Sequence, residues 1–169
     1  LRSAGTSTSD AGTSTCPNTG ADIEGPFYRA NVPIRSDLNL YGDVGETLVL
    51  SGVVTNAACQ AIPNAIVEIW QANPAGDYDN TSDEQRYRGQ VATDEQGRYA
   101  FNTLMPGRYL NGDTYRPAHL HLKVWVADTE RLTTQLYFDG DPFNAGDPWY
   151  DPQRSIALMN GEGTFNFSV

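Results

Sequence analysis

Arg116-Pro117-Ala118-His119-Leu120-His121-Leu122-Lys123-Val124-Trp125 is the stretch on which the reading of this chain turns. Pro117 can open a strand but cannot sit inside a central one, because it has no N–H to give to the ladder. Beyond it, Leu120, Leu122, Val124 and Val126 share one parity, and His119 and His121 take the other. Successive side chains of a strand point to opposite faces, so the pattern predicts a strand with one apolar face and two imidazoles side by side on the other. Neutral imidazole nitrogens held that way can grip a metal ion, as they commonly do for iron, copper and zinc. The plain alternative is two polar residues on the solvated face of a half-buried strand. These are the chain's two histidines, so a metal site would need donors from elsewhere.

The rest of the sequence reads as more strands. In 169 residues there are ten prolines and sixteen glycines, with many short apolar runs and almost no helical periodicity. That predicts an all-β sandwich with little helix and long loops. A formal charge of −10 without a basic stripe argues against nucleic acid and anionic membrane surfaces as partners. No apolar run approaches the roughly 20 residues of a membrane helix.

Residues 1–15 are small, polar and repetitive, with no initiating Met. They are expected to form a disordered leader left by a cleaved precursor or by cloning, ahead of a single domain over 16–169. An even cysteine count in an exported chain favours a disulfide, here Cys16 to Cys59, and a secreted or periplasmic location; two unrelated thiols are the alternative. Strands are expected at Leu48–Val54, Ala65–Trp70, Arg88–Thr93, Arg98–Phe101, Thr133–Phe138 and Gly163–Val169, with loops over 72–85, 110–115 and 139–151.

The order of motifs resembles that of the intradiol ring-cleavage dioxygenases. It rests on Glu24-Gly25-Pro26-Phe27-Tyr28; on Val67 to Asn73 followed by Gly76-Asp77-Tyr78; on Thr93-Asp94 through Gly97-Arg98-Tyr99 to Pro106-Gly107-Arg108-Tyr109; on Arg116 to His121; and on Gln135 to Phe138 with Gly140-Asp141-Pro142. The resemblance implies a non-haem iron(III) held by Tyr78, Tyr109, His119 and His121. Arg116 would face the substrate and stabilise negative charge, Gln135 would stand beside it, and Ile23, Pro26 and Tyr28 would wall the ring pocket. The implied reaction opens a catechol between its two hydroxyl-bearing carbons with O2 to a muconate-type diacid, Tyr109 being the phenolate that is displaced and takes a substrate proton. Tyr87 and Tyr115 are the competing tyrosines.

Members of that family that pair subunits through a helical N-terminal region differ from this chain before Glu24. The short polar stretch and its cysteine look more like the small exported members, and all four ligand positions lie on one chain. Two readings from other classes stay open: a non-catalytic transthyretin-like β-sandwich module, and an iron(II) oxygenase whose third ligand would be Asp113, Asp139 or Asp141.

Overall fold

The computed structural model describes residues 12–169. Its strands are β1 (Thr47–Thr55), β2 (Ile66–Trp70), β3 (Arg88–Ala92), β4 (Arg98–Leu104), β5 (Tyr109–Asn111), β6 (Thr114–Arg116), β7 (His119–Val126), β8 (Thr129–Phe138), β9 (Ser155–Ile156), β10 (Glu162–Thr164) and β11 (Phe167–Ser168). Helix among the described residues amounts to two three-residue 3-10 turns, Asn144–Gly146 and Pro152–Arg154. The all-β expectation holds.

Five strands form one sheet in the order β3-β2-β7-β8-β9. In the facing sheet β1 pairs antiparallel with β4 on one side and parallel with β10 and β11 on the other. The inward parity is apolar in both: Leu48, Leu50 and Phe101 meet Val67, Ile69, Leu120, Leu122 and Leu136 in one buried cluster. Each such side chain stabilises the fold by about 1.5–3 kcal/mol relative to exposure. A one-residue slip of β7 would forfeit several of these contributions at once and turn the histidines inward, so its register is strongly specified.

The other face of β7 is also buried, which corrects the plain reading of a solvated polar face: His119, His121 and Lys123 are 2%, 1% and 3% exposed. Chain from the N-terminal segment covers it, with Asp22 N–H donating to the Thr133 carbonyl at 2.9 Å. That segment continues around the sandwich, bridging the β3 edge through Ile34 to Gln90 and the β4 edge through Asp37 to Asn102. Leu38 is fully buried between them. A disulfide joins Cys16 to Cys59, and Thr19 N–H donates to Ser168 O at 2.9 Å.

Of the expected leader, residues 1–11 lie outside the described residues, and 12–15 are exposed chain without regular structure. One loop expectation is overturned. Residues 110–115 belong to a short hairpin in which β5 and β6 pair Tyr109 with Arg116 and Leu110 with Tyr115. Three-residue strands offer too little alternation to be recognised, and the turn residue Gly112 adopts φ +68°.

Candidate metal centre

Sheet register sets the first half of the site. Directly opposed residues share a face, so the pairings Trp70 with His121 and His121 with Gln135 make one row across β2, β7 and β8. His119 and Tyr137 form the next row. His119 Nδ1 donates to Pro117 O at 2.7 Å, which leaves the lone pair of the neutral ring on Nε2. The His121 ring lies on Trp70, with centroids 4.9 Å apart and planes at 12°.

The tyrosines come from outside the sheet. Asn73 Oδ1 accepts from Ala75 N–H at 3.0 Å and Asp77 N–H at 2.9 Å, an Asx turn that folds 73–77 tightly and delivers Tyr78. This turn packs backbone to backbone on the stretch before β5. A Cβ on Gly76 would lie 2.4 Å from Arg108 O, and one on Gly107 would lie 2.4 Å from Gly76 N. Gly76 also sits at φ +94°, where an L side chain is strained. The two glycines let the Tyr78 loop and the Tyr109 strand approach closely.

The result is a closed circuit of four rings. Centroid separations are 4.9 Å for His119 to His121, 5.5 Å for Tyr109 to His119, 5.8 Å for Tyr78 to Tyr109 and 6.1 Å for Tyr78 to His121. Tyr78 Oη is 3.3 Å from His119 Nε2. Phe27 stacks on the outer side of Tyr78 at 4.3 Å.

Arg116 closes one side. Its Nε and Nη2 donate to Asp147 Oδ2 at 3.0 and 2.8 Å, and Nη2 also donates to Gln135 Oε1 at 2.8 Å. Those bonds aim Nη1 at Tyr109 Oη and His119 Nε2, each 3.3 Å away. The guanidinium also lies 4.6 Å from the Trp149 ring centre. Burial opposes its charge, but its bonds to Tyr109 and Asp147 hold its pKa above the usual guanidinium value.

The electrostatics favour neutral nitrogen ligands. Burial, then the Arg116 charge, pushes His119 down to about 3. Burial also lowers His121 well below the ordinary imidazole range, helped by His119, Arg116 and Arg88. Tyr78 is shifted the other way, above the ordinary phenol value, by burial and then by Tyr109. A cation at its oxygen would reverse that, since metal binding ionises a phenol.

These residues fit a trivalent metal. Both ring nitrogens of His121 are buried without a hydrogen-bond partner, a deficit of about 1–3 kcal/mol per group when nothing answers it. A metal ion among two phenols and two neutral imidazoles would answer it, and two phenolates would offset most of a 3+ charge. The ferrous alternative lacks its carboxylate, because no group of three or more His, Cys, Asp or Glu able to hold a metal occurs among the described residues. Asp113 and Asp139 are exposed, and Asp141 is engaged by Arg108 Nε and Ala118 N–H.

The remaining expected site residues divide. Gln135 is buried and ties the wall to Arg116, its Nε2 donating to Ile23 O at 3.2 Å. Ile23 is 40% exposed, and Pro26 is exposed. Tyr28 stands edge-on to Trp70 at 5.0 Å, one ring further out than His121, under the Lys123 ammonium. Of the competing tyrosines, Tyr87 is buried with its hydroxyl on Asp43, and Tyr115 faces outward against Phe143. Asp147 and Trp149 went unrecognised in the sequence. The only hint was that a buried arginine needs an anion.

A family profile described as "Dioxygenase" matches residues 23–156. Catechol 1,2-dioxygenase 2 of Acinetobacter lwoffii is 34% identical over 141 residues, covering 72% of this chain and 51% of that protein. The beta chain of protocatechuate 3,4-dioxygenase from Burkholderia cepacia is 38% identical over 117 residues, covering 62% and 50%. The chain thus spans about half the length of the curated relatives it matches. Among solved structures, the dioxygenase domain of a dioxygenase and carbohydrate-binding protein fusion from the cellulolytic bacterium Streptomyces sp. SirexAA-E superposes with a TM-score of 0.82 at 33% identity, covering 90% of this chain and 98% of that one.

Proposed function

We infer that this chain, which belongs to the intradiol ring-cleavage dioxygenase family, cleaves a small aromatic diol between its two hydroxyl-bearing carbons, using O2 and a non-haem iron(III). The observation that carries the reading is the closed circuit of Tyr78, Tyr109, His119 and His121, with both nitrogens of His121 buried and unanswered. The disulfide supports an oxidising, exported setting.

Tyr78, Tyr109, His119 through Nε2 and His121 would hold the iron. When bound, the ferric ion supplies a Lewis acid that ionises the phenols and the diol and renders the ring electron-rich toward O2.

The protein's own groups do the rest. His119 is pinned by the Pro117 carbonyl so that its lone pair stays on Nε2. Tyr109 Oη, on the first residue of the short β5–β6 hairpin and bonded to Arg116, is the oxygen suited to leave its position and take a substrate proton, which is general base chemistry by a phenolate. Arg116 keeps its charge at all working pH values. Anchored by Asp147 and Gln135, it is a fixed donor toward negative charge that develops on the substrate, and such preorganised charge is worth far more in a buried site than in water. Ile23, Pro26 and Tyr28 are assigned to the wall of the ring pocket.

The test is the visible spectrum of the iron-loaded protein, before and after anaerobic addition of catechol. Phenolate on iron(III) gives a red-brown charge-transfer band, expected to weaken in Tyr78→Phe and in Tyr109→Phe and to move to longer wavelength with catechol. Stoichiometric iron with no such band would reject the two-tyrosine site.

A further inference from the structure

The row that carries His121 begins with a residue for which the reaction has no use. Arg88 opens β3 directly opposite Trp70, so it shares the site face of the sheet, with Trp70 between it and His121. It is 1% exposed, yet all four of its hydrogen bonds go to oxygens without formal charge. Nη1 donates to Phe27 O at 2.6 Å; Nη2 and Nε donate to Asp79 O at 2.9 and 3.2 Å; Nη2 also reaches Asn80 Oδ1 at 3.4 Å. Burying a guanidinium on such partners is costly, so the fork must secure something that a smaller neutral side chain could not.

What it secures is the meeting of two separate segments. Phe27 belongs to the N-terminal segment and Asp79 to the loop after β2, and the side chains beside those carbonyls are the stacked pair Phe27 and Tyr78, 4.3 Å apart at 18°. His119 has a carbonyl to orient it and His121 has a ring beneath it. Tyr78 stands on a loop after a glycine turn, with no comparable brace of its own. A planar donor set that reaches two carbonyls in fixed directions is a property of arginine; lysine presents a point charge on a flexible stem and cannot span both.

We propose that Arg88 is a positioning residue for Tyr78: its guanidinium clamps the carbonyls of Phe27 and Asp79 and thereby fixes the Tyr78 ring against Phe27 and toward the His119 lone pair. This rests on Tyr78 being a metal ligand. Iron affinity and the charge-transfer band are therefore measured in the wild type, Arg88→Lys, Tyr78→Phe and the double variant. Arg88→Lys is expected to weaken iron binding roughly 10- to 100-fold, the range for losing an outer partner of a ligand, and to shift or weaken the band. In the Tyr78→Phe background the same change is expected to alter neither.

A lower melting temperature with affinity and band intact would make Arg88 a merely structural tie and overturn the proposal. So would an equal loss in the Tyr78→Phe background. If wild-type protein binds iron without the band, the ligand assignment itself fails and the proposal falls with it, an outcome visible before any Arg88 variant is made. Should Arg88→Lys not fold, Phe27→Leu leaves the backbone carbonyl in the clamp but removes the stack; it is expected to change the band in the wild-type background alone, and an unchanged band there would overturn the proposal.

Discussion

Gly76→Ala tests whether the site depends on the backbone contact between the two tyrosine-bearing segments. Two contributions are separable. The new methyl group would sit 2.4 Å from Arg108 O, about 1 Å inside an ordinary contact. Neither side can yield easily, because Asn73 bonds fold one segment and β5 begins immediately after the other. Forced overlap in a packed region costs about 1–3 kcal/mol. The residue also lies at φ +94°, and holding an L residue there adds about 1–2 kcal/mol. The expected loss is therefore about 2–5 kcal/mol, a large part of the about 5–15 kcal/mol that holds a domain together.

Gly112→Ala supplies the control. It has φ +68° with nothing within 4 Å of its added Cβ, so it carries the backbone contribution of about 1–2 kcal/mol alone. Urea unfolding of the metal-free protein gives both values, and the iron-loaded spectrum then reports whether Tyr78 and Tyr109 still serve one metal. Gly76→Ala should also weaken the charge-transfer band, while Gly112→Ala should not. If Gly76→Ala is no more destabilising than Gly112→Ala, the close approach is not what joins the two segments and the reasoning fails.

Three more outcomes follow from the geometry. Asp147→Ala strips the buried Arg116 of its anion and should cost about 3–5 kcal/mol in denaturant unfolding; a loss under about 1 kcal/mol would mean that Asp147 is not what balances the charge. Both histidines are held neutral by burial, His119 down to about 3. The unfolded chain therefore takes up protons near pH 6.5 that the folded chain refuses, and stability is full above that pH and falls as the pH drops toward 3. Metal-free protein should lose about 2 kcal/mol through His119 between pH 7 and pH 5, and His119→Gln should show a shallower pH dependence than the wild type. Replacing Cys16 and Cys59 by serine opens a loop with a sequence separation of 43 and should lower stability by about 4 kcal/mol in the chain-entropy account; an unchanged urea midpoint would show that the N-terminal segment is held by its backbone bonds instead.

The histidine strand was legible because period-two alternation is a local property: Leu120, Leu122 and Val124 announce the core face, and parity alone puts His119 and His121 opposite. The tyrosines were legible by motif only. Nothing local says that Gly76 and Gly107 lie back to back, since a glycine in a loop does not name its partner. Asp147 and Trp149 were hidden because their loop has no periodicity to fix its path, although they complete the setting of Arg116. The surroundings of Tyr28 were hidden for a geometric reason. Tyr28 neighbours Pro26 in sequence, but the chain carries it past Trp70, where it meets Lys123 and Glu68 instead of the four rings. The burial of both faces of β7 was equally invisible, because the covering segment is about a hundred residues away in sequence.

The division of the four rings between the five-stranded sheet and the segments outside it makes the molecule part spine and part editable perimeter. His119 and His121 inherit their positions from a ladder paired on both sides, so a one-residue slip of β7 would carry both into the core. Tyr78 and Tyr109 sit where chain can be lengthened or shortened, between Tyr78 and Arg88 or at the tip of the β5–β6 hairpin, without moving either histidine. A scaffold built this way can change the shape of its cleft by rewriting its loops, with the histidine pair left as a fixed point from which each new outline is measured.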